Sequence, residues 1–138
     1  MQVHLCYKPY QFKMSLGAMK AFKEATGKDL WSTLITFVDS WSRSKEEPEL
    51  TRYREAYKAV DFETAVHAAH CMIHEYDKSI SMDEIEDAMF RCGWLPNADG
   101  NDKGAPYPIV LINMALQIHS TFSSDEKAKK RSARSREK

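Results

Sequence analysis

With 138 residues, 43% of them hydrophobic and 29% charged, the sequence has the size and balance of one globular domain and leaves little room for a second. Twenty Lys and Arg against twenty Asp and Glu leave no net charge, which excludes a uniformly basic nucleic-acid binder. No apolar run reaches the ~18 residues of a membrane span, and the longest, Ile109 to Ile118, is broken by Asn113 and Gln117.

In chain order, Val3–Tyr7 and Tyr10–Met14 have β character and are separated by Lys8-Pro9; Tyr10, Phe12 and Met14 alternate with polar residues, the period of a half-buried strand. A small hairpin or one extended strand is expected. Ser15 can cap a helix that runs to Thr26 and stops at Gly27, with Leu16, Met19, Phe22 and Ala25 as its apolar stripe. Asp29 can cap a second helix from Leu30 to about Ser42, with Leu30, Leu34, Phe37, Val38 and Trp41 inward. After the polar connector Ser44 to Glu49, Thr51 to Ala59 reads as a short helix. Asp61 caps a helix from Phe62 to Tyr76 whose apolar face is Phe62, Ala65, Val66, Ala69, Met72, Ile73 and Tyr76. Ser81 and Glu84 have capping-box spacing before a helix over Met82–Cys92, stopped by Gly93. Trp94 to Tyr107, rich in Pro, Gly, Asn and Asp, reads as a long loop. Pro108 suits the first turn of a last helix to about Phe122, with Ile109, Ile112, Leu116 and His119 on one side and Val110, Leu111, Ala115 and Ile118 widening the apolar surface.

The expected fold is therefore mainly α: a small helical domain over 1–124 with a short N-terminal strand or hairpin, then a basic, disordered segment over 125–138. That last segment carries about +4 and the remainder about −4 by formal counting. Cys6, Cys71 and Cys92 are odd in number without CxxC spacing, and Met1 to Leu5 is followed by Lys8-Pro9 and not by a signal-type apolar stretch. Reduced thiols in a cytoplasm are expected.

Sequence chemistry is sparse. His67, His70, Cys71 and His74 fall within about a third of a helix circumference, which makes His67, His70 and His74 the candidate metal ligands. A solvated polar face accounts for them more simply, and no metal or other cofactor is expected. Asp83, Glu84, Glu86 and Asp87 sit where acids favourably meet a helix dipole, so they need no catalytic role. No hydrolase, metalloprotease or phosphate-loop motif occurs. Asp99-Gly100-Asn101-Asp102 lacks the ligand spacing and closing Glu of a calcium loop. The Lys/Arg cluster over 127–138 could meet phosphates, but no aromatic interleaves it. Seven Met and three Trp offer adaptable apolar surface for a partner helix.

The stretch Tyr10-Gln-Phe-Lys-Met-Ser-Leu-Gly-Ala-Met-Lys-Ala-Phe-Lys-Glu-Ala-Thr-Gly-Lys-Asp-Leu30 resembles the N-terminal part of the tail assembly chaperones of phages with long non-contractile tails. Gly17-Ala18-Met19-Lys20, Phe22-Lys23-Glu24 and Thr26-Gly27-Lys28 match the family's helix-turn pattern, with Met19 and Lys23 as departures. Ser81-Met-Asp-Glu-Ile-Glu-Asp87 resembles the start of the family's penultimate helix; the likeness covers about half of the chain and continues loosely to Ser123. The resemblance implies a non-enzymatic morphogenesis factor in the host cytoplasm, absent from the mature virion. It would coat the tape-measure protein, help recruit tail-tube protein, and self-associate along the tape as a homo-oligomer. It also implies a longer, ribosomally frameshifted form, for which Lys127 to Arg131 is compatible with slippery codons. On this reading Trp31, Trp41, Trp94, Leu95 and Tyr107 are the expected partner-binding residues, with no membrane and no nucleic acid among the partners. The alternative is a small regulatory or nucleic-acid-associated protein acting through the basic C-terminus.

Overall fold

The structure, a computed structural model, describes residues 1–5, 8–92 and 110–121. The expected long loop with Trp94, Leu95 and Tyr107, the start of the last helix at Pro108, and the basic segment 125–138 lie outside the described residues. Within them the chain is mainly helical, with a two-stranded antiparallel hairpin at its N-terminus.

The hairpin pairs β1 (Gln2–Leu5) with β2 (Lys8–Gln11) in the register Val3 to Tyr10 and His4 to Pro9. Alternation sends Val3, Leu5, Tyr10 and Phe12 inward, all at 4% exposure or less. The strand continues past β2: Phe12 N–H donates to the Met1 carbonyl at 2.9 Å and Lys13 N–H to the Met72 carbonyl at 3.1 Å. Met72 is in the last turn of a helix, where carbonyls lack intrahelical donors, so the second bond satisfies a buried orphan acceptor.

The helix α1 (Leu16–Thr26) starts where the Ser15 hydroxyl accepts from Ala18 N–H and ends at Gly27, whose φ of 74° admits the left-handed cap without a Cβ penalty. Its buried residues are Ala18 and Phe22. The expected stripe is corrected here: Leu16 is 67% exposed and Ala25 is exposed. Steps of three residues drift about 60° each around a helix, so four such positions cannot share one narrow face. Asp29 then caps α2 (Leu30–Arg43) through Ser32 N–H at 2.8 Å. Leu30, Thr33, Leu34 and Phe37 are buried, while Val38 and Trp41 are half-buried. The third helix, α3 (Glu49–Ala59), begins two residues earlier than expected, because the Pro48 carbonyl accepts from Arg52 N–H and Glu49 meets the dipole.

At the centre lies α4 (Phe62–His74), capped by Asp61 through Thr64 N–H at 2.8 Å. Eight of its thirteen residues are buried, among them Ala65, Ala68 and Ala69, whose small side chains let α1 and α5 (Met82–Cys92) approach it closely. It ends at His74, two residues short of expectation, and Tyr76 is 58% exposed outside it, not on the inner face. Ser81 caps α5 through Glu84 N–H at 3.1 Å, but the Glu84 carboxylate turns to Tyr10 instead of closing the capping box, accepting from its hydroxyl at 3.0 Å. Burial first and then that carboxylate push the Tyr10 hydroxyl up to about 12.

The last described helix, α6, runs over 110–121 and buries Val110, Leu111, Ile112, Met114, Ala115 and Ile118. Of the residues expected along one side, Ile112 is buried, whereas Leu116 is 52% exposed and His119 is exposed. Apolar residues spread over more than one face of the helix, so periodicity alone could not select one; the row Val110, Leu111, Met114, Ala115 and Ile118 takes the core. The three Phe side chains Phe12, Phe22 and Phe37 are fully buried; each contributes about 2–3 kcal/mol of transfer free energy.

Candidate functional site: a groove between two helices

Two exposed apolar side chains face one groove. Ile35 on α2 is 49% exposed and Leu116 on α6 is 52% exposed, and both line a groove of about 390 Å³ with Trp31, Val38, Asp39, Ser42, Ala115 and His119. The sequence places them there for a local reason. Leu30, Leu34 and Phe37 take the core side of α2, so residues 31, 35, 38 and 42 follow as the next row around its axis. On α6 the core row leaves Leu116 and His119 on the opposite flank. An apolar groove with a few polar groups at one end suits the apolar stripe of another helix.

Trp31 therefore belongs to the groove wall, half-buried. Trp41 does not. Ten residues further on, it is turned about 80° away around the helix and packs edge-on against Tyr53 at 5.4 Å. The Arg52 guanidinium stacks over its ring at 3.7 Å and donates from Nε and Nη2 to its carbonyl at 3.1 and 2.9 Å. These contacts join α3 to the C-terminal end of α2. Ile35 and Leu116 are the residues that sequence reasoning missed as groove residues. Only the depth of α2's second apolar row could have signalled Ile35.

The histidines of α4 do not assemble with Cys71. Cys71 is 7% exposed within the core, not on a polar face, and burial followed by Glu75 pushes its thiol up to about 11. His67, His70 and His74 are half-buried, with the His70 and His74 rings 5.1 Å apart. His70 Nε2 lies 3.1 Å from the Ile80 carbonyl oxygen, which it contacts as donor, tying α4 to the turn before α5. Among the described residues no three His, Cys, Asp or Glu side chains converge as a metal site. Asp83, Glu84, Glu86 and Asp87 are exposed on the first turns of α5, and Asp87 pairs with Arg91.

A second, polar cleft of about 530 Å³ lies between α2 and α3, lined by Ser40, Arg43, Ser44, Thr51, Arg54 and two glutamates, Glu47 and Glu55. Its charges balance, and Arg43 and Arg54 already contact Asp39 and Glu55. Among the described residues it offers no unbalanced charge to hold a ligand.

Comparison with known protein families, curated proteins and solved structures finds no match. No helix among the described residues is long and apolar enough to cross a membrane.

Proposed function

We propose that this chain is a tail assembly chaperone of a long-tailed phage, which holds a helix of the tape-measure protein in the groove between α2 and α6 and acts without catalysis. Two independent features support the reading. The resemblance carried by Tyr10 to Leu30 falls on β2, α1 and the start of α2, and it points to a protein that coats a long apolar helix. The single observation that carries the site is the pair Ile35 and Leu116, two large apolar side chains half in water on facing walls of one groove. Removing both from water would contribute about 2 kcal/mol or more per bound helix, and many copies along a tape would multiply that.

In this reading the protein works in the host cytoplasm, helps recruit tail-tube subunits and is left out of the finished particle. Self-association along the tape and a longer frameshifted form belong to the same proposal. The test is co-expression with the long helical protein encoded beside it. The tape-measure protein should become soluble and co-purify with several copies of this chain, and Ile35→Asp or Leu116→Asp should abolish the rescue while leaving the chain folded. Insolubility with both the 138-residue chain and its extended form would overturn the reading.

A further inference from the structure

The α2 wall of the groove is graded along its length. Trp31, Ile35 and Val38 are apolar; Asp39 and Ser42 follow at the other end. Steps of four, three and four residues from Trp31 through Ile35 and Val38 to Ser42 are those by which one helix meets another side by side. At 1.5 Å per residue the row is about 16 Å long, three turns of an occupant helix. Among the described residues, the groove lining holds one ionisable side chain besides His119, Asp39. Its ion-pair partner Arg43, which also lines the polar cleft with α3, meets that carboxylate one turn on, and both side chains stay largely exposed, so solvent screens the pair. Even in that pair Asp39 remains 56% exposed, and its carboxylate has lone pairs for a second cation.

The groove thus presents apolar surface that ends in an exposed carboxylate shared with Arg43, on a body whose residues 1–124 carry about −4. Resting on the helix-binding reading above, we infer that the occupant is a helix from a partner chain carrying Lys or Arg just beyond its apolar stripe, and that Asp39 sets its direction by pairing with that cation. An apolar stripe alone would allow either direction. One charge at one end removes that degeneracy, the use to which rim charges are best suited.

The test uses two synthetic, helix-stabilised peptides with identical apolar stripes, one with Lys and one with Glu one turn beyond the stripe. Fluorescence anisotropy against the full chain should show the Lys peptide binding about fivefold tighter at low salt, the difference shrinking in about 0.5 M salt. Asp39→Asn should erase the preference and Asp39→Lys should reverse it. Equal affinity of the two peptides, or a preference that ignores both Asp39 variants, overturns the inference while the groove reading stands, provided Ile35→Asp abolishes binding of both. Failure of both peptides to bind the native chain overturns the groove reading as well. Self-association that Ile35→Asp removes would assign the groove to a second copy and overturn the partner-helix proposal.

Discussion

Glu75, at the C-terminal end of α4, accepts a hydrogen bond from the Ser15 hydroxyl that caps α1, and its carboxylate occupies the space where a Cβ on residue 17 would stand. The same carboxylate also accepts from Lys78. One side chain thus joins the N-terminus of α1, with its partial positive charge, to the end of the central helix. Those bonds, Lys78 first and then Ser15, hold the Glu75 carboxyl below its ordinary value.

Gly17→Ala tests the arrangement through opposing terms. Alanine gains up to about 1 kcal/mol of helix propensity over glycine. Its Cβ would displace the Glu75 carboxylate, the free end of a flexible side chain, and forfeit a charge-assisted bond of about 1.5–3 kcal/mol. Gly17→Ala should therefore destabilise by about 0.5–2 kcal/mol in the native background. In a Glu75→Ala background the clash is absent and the same change should stabilise, giving a coupling of about 1 kcal/mol or more in denaturant titrations. Equal effects in both backgrounds would show that the carboxylate does not reside over residue 17.

The pH dependence of stability should carry a His70 signature. Burial lowers its pKa most, the Ile80 carbonyl partly opposes this, and His74 and His67 lower it further. The folded state then favours neutral imidazole. Above the ordinary value of about 6.5 neither state binds the proton and the contribution is intact. As pH falls through that value the unfolded chain takes up the proton first, so stability declines. Urea midpoints should drop between pH 7.5 and pH 5.5, and His70→Gln should reduce that slope. A slope untouched by the substitution would place the titrating group elsewhere.

Arg52→Lys should separate charge from shape at the α2–α3 junction. The guanidinium both stacks on the Trp41 ring and donates twice to its carbonyl, which a single ammonium cannot reproduce. A loss of about 1 kcal/mol is expected, together with a change in Trp41 fluorescence, while Arg54→Lys on the exposed side should change neither. Equivalence of the two variants would contradict the stacking.

How much of this was legible in the sequence depended on how local each cause is. Ser15, Gly27, Asp29, Asp61 and Ser81 act within a turn of their own position, so the helix boundaries they set could be read directly. The ties that assemble the elements could not. Glu84 is a capping-box residue by spacing, yet it bonds Tyr10 from the hairpin, 74 residues away. Cys71 lies among histidines along the helix, but α4 is enclosed by α1 and α5, so a polar-looking flank includes a core position. The groove needed two faces from distant helices, and α6 carried too many apolar residues to reveal which one faced outward.

That ambiguity on α6 makes the sharpest stability test, because two apolar residues two positions apart should behave oppositely. Met114 is fully buried, so Met114→Ala should cost about 2–5 kcal/mol through lost transfer energy and the cavity left behind. Leu116 is half in water on the groove wall, so Leu116→Ala should lie within about 0.5 kcal/mol of native. Thermal or urea unfolding of the two variants measures this directly. The reverse order would mean that α6 is rotated by roughly half a turn, with Leu116 in the core, and would remove Leu116 from the groove. The expected order, combined with loss of helix binding in Leu116→Ala, would separate the residue's contribution to the surface from any contribution to the fold, since only a residue spared by the core can be spent on a partner.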